Sequence, residues 1–527
     1  MKNQIEQWWS DNKKTLCRCI IWAFVFGLAA HAFQFFNFQY AHDSLDGLFV
    51  MGRENYHKAE LGRIFSPVYR FIFGGNFSAP WLIGFLALLW VGIAAFFVVK
   101  TLGINSKISA VFICGVMVTS RTVTALAATF IHDLDADMFA LMLACFAVYL
   151  WKEKIFGWWL VGAVALCGSL GLYQSYITVA IVLIALVLML QLAEGEKFAA
   201  VAKNAFGGAV MGILGGAMYA VVLKLAPIVT SVEFAERGNS VTSIKLLRIS
   251  DLPALVAEAY TGWLEHFVNV PTNWAKPQIV AAVNIALILA VPVMAVLVVI
   301  KKKLSFPNTV GVAVIVALLP LAMNLIRVLS VEEYHDLMTY AFVFLYVAAV
   351  VLAEKLQIRP VGAVVGLCVA LAVFCSVQTA NEVYLKRNLS YQATYARMSF
   401  VLHDMEQIGY DVENEEVYIL NEVPMAEYED FGAVNQLWAM EFNNVITSDK
   451  KSIENYFEYV FDYPIRFASE ERANKALLSE ECIRMPSYPD EGYMEYIDGV
   501  LMVKLQPNHY HIKELEKLEK ADAEKAE

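Results

Sequence analysis

Apolar runs of about 17–25 residues, the length a helix needs to cross a bilayer, recur from the N-terminus to about residue 380. Nothing else constrains the fold of this chain as strongly. Eleven spans are expected, near 17–37, 80–99, 108–127, 135–151, 157–172, 174–193, 205–225, 278–300, 308–326, 337–353 and 360–379. Hydrophobic residues make up 58% of the 527, too many for a soluble globular protein of this size. The first run, from Cys17, follows Lys13, Lys14 and Arg18 and has no small-residue cleavage site, so it reads as a retained helix.

Charge divides the chain in two. Residues 381–527 carry 14 Lys/Arg against 30 Asp/Glu, whereas the first 380 carry 26 against 21. The pattern predicts a membrane domain over 1–380, an acidic α/β domain over 381–512 and a charged tail over 513–527. In the acidic part, Glu416–Leu420 reads as a strand, and Tyr496–Val503 reads as a hairpin turning at Asp498-Gly499. Helical patterns lie near 391–408 and 470–481, and the tail from Lys513 reads as either frayed helix or disorder. Without a basic stripe, nucleic acid is excluded as a partner. Most of the eight cysteines fall inside apolar spans; only Cys482 lies in the acidic domain, which therefore has no internal disulfide.

The positive-inside rule orients the spans. Short segments bearing Lys or Arg (Lys2–Arg18, Lys100–Lys107, Lys152–Lys154, Lys197–Lys203, Lys301–Lys303, Lys355–Arg359) fall on one side, taken as cytoplasmic. Loops 38–79 and 226–277, the Arg327–Asp336 connection and the C-terminal domain fall on the extracytoplasmic side of a plasma membrane. The parity rests on the interruption at Gly171–Tyr176; a single kinked helix over 157–193 would put the tail in the cytoplasm.

This topology gathers the unusual polar residues on one face. Asp43 and Asp46 stand three apart after the first span, where on a helical turn they share a face. Gly62-Arg63 opens an apolar-periodic segment suited to the interface plane, and its guanidinium could approach a phosphate. His132, Asp133, Asp135 and Asp137 precede a span. A cap explains one acid; three in five residues suit sugar hydroxyls, a structural role or a hard cation such as Mg²⁺. Tyr173-Gln174 lies at membrane depth, where a Gln must be bonded. Arg327, followed by Glu332, Glu333, His335 and Asp336, either snorkels to the surface or clamps a phosphate. Interface-marking charges are the plain alternative throughout. The chain has no Gly-rich phosphate loop, Gly-x-Ser-x-Gly elbow, His-Glu-x-x-His or Cys-x-x-Cys motif, which argues against a nucleotide-driven pump or a membrane protease.

Over about residues 20–350, the acidic pair Asp43/Asp46, Gly62-Arg63, Leu172-Tyr173-Gln174 and Arg327 with its polar loop resemble the GtrII-type glucosyltransferases, polytopic enzymes of the GT-C class. Ile64 stands where that family tends to carry an aromatic residue. The resemblance implies a bacterial enzyme that moves a sugar, usually glucose, from a polyprenyl-phosphate carrier in the membrane lipid to a surface polysaccharide outside the cytoplasm. Such chemistry needs one carboxylate base and cations on the phosphate, but no strong general acid and no cofactor. Asp43 or Asp46 is then expected as base and Arg63 and Arg327 as phosphate clamps. His132, Asp133, Asp135, Tyr173, Gln174 and His335 are expected around the substrates. The rival reading is a transporter or flippase for a lipid-linked sugar or polymer, which calls for an internal repeat and mid-depth polar residues. No repeat is found, and mid-span polar residues such as Asn284 and Asn324 are few.

Overall fold

The computed structural model describes residues 2–37, 44–49, 51–74, 79–155, 157–234, 248–270, 275–330, 335–421 and 450–526. The first helix, α1 (Lys2–Phe36), leads into three short helices, α2 (Ser44–Phe49), α3 (Met51–Glu60) and α4 (Ser66–Phe73). Then come α5 (Pro80–Thr101), α6 (Lys107–Val118), α7 (Arg121–Thr129), α8 (Leu134–Glu153), α9 (Trp158–Leu172) and α10 (Ile177–Ala193). The membrane part continues with α11 (Phe198–Thr230), α12 (Leu252–Val268), α13 (Pro277–Lys302), α14 (Phe306–Met323), α15 (Leu325–Leu329), α16 (Phe344–Leu356) and α17 (Arg359–Gln407). Nine helical stretches among the described residues are long and apolar enough to cross a membrane. The runs expected at 157–172 and 337–353 form shorter helices: α9 has 15 residues, and α16 has 13 after two 3₁₀ turns.

Local chemistry sets the breaks. The apolar run near 108–127 is two helices, because Ser120 turns extended and its hydroxyl accepts from the Val123 N–H at 3.4 Å, capping α7. The run 157–193 also breaks. Tyr173 is extended (φ −155°, ψ 117°), a 3₁₀ turn covers Gln174–Tyr176, and α10 restarts at Ile177.

Helix packing separates two ends. At one, Trp8 donates to the Tyr149 hydroxyl at 2.8 Å, the Asn105 and Ser106 N–H groups bond Glu354, Lys355 pairs with Glu194 at 2.6 Å, and Asn308 donates to the Leu192 and Glu196 carbonyls. This end collects the lysine-bearing connections. At the other, His31 of α1 bonds both the Tyr384 hydroxyl of α17 and the Val118 carbonyl of α6, at 2.7 and 2.9 Å. Helices α9 and α10 therefore run in opposite directions, and the chain leaves the bundle at the end opposite its N-terminus.

Helix α17 passes residue 380 without interruption and carries the chain into a small α/β unit. There β1 (Glu416–Leu420) pairs parallel to β3 (Val500–Lys504), and β2 (Met494–Ile497) pairs antiparallel to β3, in the order β1-β3-β2. Asp498 and Gly499 both take positive φ, 51° and 72°, the geometry of a two-residue hairpin turn. Around the sheet lie α18 (Lys450–Phe461), α19 (Glu470–Leu477), α20 (Glu480–Arg484) and α21 (His509–Ala526). The charged tail is thus helical. Helix α18 packs on α2, so this unit meets the membrane part at its loop-rich end.

Candidate active site

A short connection, Leu61–Phe65, organises the loop-rich end. Gly62 reverses the chain at φ +81°, a conformation that side chains resist, and the Arg63 N–H closes the turn on the Lys58 carbonyl at 2.8 Å. The neighbouring helices grip this connection by its backbone. The Phe65 N–H donates to the Gly171 carbonyl at 2.8 Å, and a Cβ at residue 171 would lie 2.3 Å from the Phe65 ring. The Gln174 amide donates to the Leu61 carbonyl at 3.1 Å and the Tyr219 hydroxyl at 2.9 Å; Tyr219 in turn donates to the Gly62 carbonyl. Gln174 thus meets its bonding requirement by holding this turn.

Three cations and two carboxylates converge beyond the turn. Lys58 of α3 forms an ion pair with Asp133, and the Arg63 guanidinium lies 3.6 Å from the same carboxylate while stacking 4.3 Å above the Tyr173 ring. Arg70 of α4 reaches Asp135 at 3.3 Å and Asp133 at 4.0 Å. The Tyr69 hydroxyl donates to Asp135 at 3.1 Å and accepts from the Trp90 indole at 2.9 Å. Burial, with the Asp135 charge behind it, pushes the Tyr69 phenol well above its usual range, so it stays a donor at neutral pH. His132 is buried with Nε2 3.7 Å from Asp133, and α2 closes over it: any side chain at Gly47 would lie 2.2 Å from the imidazole.

His335 stands within electrostatic reach of Arg63. Burial first, and that guanidinium second, lower its pKa to about 3, which keeps it neutral. Arg327 turns to a different group: it pairs with Glu258 of α12 and donates to the Ser330 carbonyl at 3.3 Å. A second ion pair, Arg121–Asp336 at 2.8 Å, flanks a cavity of about 80 Å³ among α6, α7, α12, α13 and α17.

Of the expected residues, Arg63, His132, Asp133, Asp135 and Tyr173 come together, with Gln174 holding the turn and His335 near Arg63. Asp43 lies outside the described residues, as do His42, Glu332 and Glu333. Asp46 lies on the α2 backbone, and its side chain is outside the described set. Lys58, Tyr69, Arg70 and Trp90 were not expected as site residues, and Asp137 was expected only as the third acid of the group before α8. The one sign of the two cations was their spacing around Arg63, at 58, 63 and 70, which does not by itself tell whether they turn inward. Among the described residues no group of three His, Cys, Asp or Glu side chains is placed to hold a metal ion; Asp133 and Asp135 face cations instead.

Buried cations able to hold an anion thus stand beside carboxylates able to hold hydroxyls. The family model described as Glucosyl transferase GtrII matches residues 32–353, more than half of the chain and all of the cluster. No curated protein and no solved structure matches the chain. The chain therefore belongs to the GtrII glucosyltransferase family and is a membrane-embedded glycosyltransferase.

Proposed function

We propose that the protein transfers a hexosyl group, glucose by its family, from a polyprenyl-phosphate carrier to a cell-surface polysaccharide, in the manner of GT-C enzymes. The buried Lys58–Arg63–Arg70 cluster facing Asp133 and Asp135 carries this reading. It lies at the end of the bundle away from the lysine-rich connections, which under the positive-inside rule is the extracytoplasmic end of a plasma-membrane protein. With α9 and α16 counted beside the nine longer stretches, the chain passes eleven times, its N-terminus cytoplasmic and its α/β unit outside.

The acceptor hydroxyl gives its proton to Asp43 or Asp46 as its oxygen attacks the anomeric carbon. The bond to the carrier oxygen breaks, and the phosphate leaves with the electron pair. Arg63 stabilises the charge that develops on it, with Arg327 as a second clamp released from Glu258. His132, Asp133, Asp135 and Tyr173 order the sugar and the arginine, and His335 contributes a neutral imidazole. Support for a base on α2 comes from Gly47, which seats that helix directly on His132.

Asp43→Asn and Asp46→Asn in membranes given a labelled polyprenyl-phosphate sugar test the assignment. The true base loses about 10²–10⁴-fold in transfer rate. Full activity in both variants contradicts it.

A further inference from the structure

Asp137 lies one helical turn beyond Asp133, on the same face of α8. It is 3% exposed, and no hydrogen bond or ion pair to its carboxylate is found among the described residues. The Arg63 and Lys58 charges reach it without touching it. The 3₁₀ turn Gln174–Tyr176 contacts α8, and the Asp137 charge reaches Tyr173 and Tyr176. Tyr176 there is fully buried, and its hydroxyl has no partner among the described residues. Its ring stands edge-on to Tyr173 at 5.7 Å and to Tyr340 at 5.6 Å, and Tyr173 carries the Arg63 guanidinium on its face.

Burying a carboxylate and a phenol without partners is costly in any low-dielectric surrounding. The cost is offset when a ligand completes their bonding. Its chemistry is bounded by the neighbours. An anion would meet the Asp137 charge, and a metal ion would meet Arg63 and Lys58. A neutral polyol meets neither objection: a carboxylate accepts two hydroxyl protons, a phenol both donates and accepts, and the tyrosine rings offer apolar faces to a sugar ring.

We propose that Asp137 and Tyr176 read the hydroxyl groups of the sugar being transferred, while Arg63 beside them holds the carrier phosphate. This rests on the transfer reading above and adds its specificity determinants.

The test is equilibrium binding by the full-length protein in lipid nanodiscs. The ligands are a short polyprenyl-phosphate glucose, its four monodeoxy analogues and the bare polyprenyl phosphate. Wild type is expected to bind one deoxy donor about ten- to a hundredfold more weakly than the parent. Tyr176→Phe and Asp137→Asn each bind the parent as weakly as wild type binds the deoxy donor that lacks their partner. All three proteins bind the bare carrier alike. Variants that bind every donor like wild type overturn the proposal alone. So do variants that lose the bare carrier equally, since their defect is then structural. Wild type that binds neither the loaded nor the bare carrier overturns the transfer reading and this one with it.

Discussion

The Arg70 guanidinium lies 3.3 Å from the Asp135 carboxylate, and both side chains are buried. Taking two charges out of water is expensive, and mutual attraction repays it only while both are present. Asp135→Ala takes from Arg70 the carboxylate at 3.3 Å and leaves Asp133 farther off at 4.0 Å, and Arg70→Ala leaves Asp135, among the described residues, with the Tyr69 hydroxyl and the Ala136 N–H. Each single variant is expected to lose about 3–5 kcal/mol of stability. The apolar pair Arg70→Met with Asp135→Leu should lose less than either, as read by thermal unfolding in detergent.

Close approach at two glycines fixes how the loops seat. Gly171→Ala drives a Cβ into the Phe65 ring and breaks the backbone bond that anchors the Arg63 turn; Gly47→Ala strikes the His132 imidazole. Both are expected to cut transfer at least about tenfold, from misplacement alone. At Gly212 and Gly216 of α11 an added Cβ meets nothing within 4 Å, so alanine there should leave transfer unchanged. Equal rates for all four variants would show that the loop seating is irrelevant to the reaction.

His335 links stability to pH. Its folded pKa, about 3, lies below the ordinary 6.5, so the unfolded chain binds the proton first. Its contribution is fully present above about pH 6.5 and is lost as pH falls toward 3, by up to about 1.4 kcal/mol per pH unit. Unfolding midpoints measured across that window should fall less steeply for His335→Gln than for wild type. Parallel curves would contradict this.

The sequence made the membrane helices legible because apolar length is a one-dimensional signal. The interruption before α10 was visible as Gly171–Tyr176, while the Ser120 cap that splits α6 from α7 was hidden inside an apolar run. Asp498-Gly499 announced its hairpin through residue types that accept positive φ. Arg63 was readable beside its glycine. Lys58, Tyr69 and Arg70 were not, since a short amphipathic helix does not reveal whether its polar face meets water or another helix. The Arg327–Glu258 and Gln174–Tyr219 pairings join residues distant in sequence, which no local pattern encodes.

The most direct measurement is transfer of labelled glucose from polyprenyl-phosphate glucose to surface polysaccharide in reconstituted vesicles, for wild type and Arg63→Ala. The account predicts transfer by wild type and a loss of about 10²–10³-fold without the guanidinium. No transfer by wild type, or equal transfer by both, would contradict it.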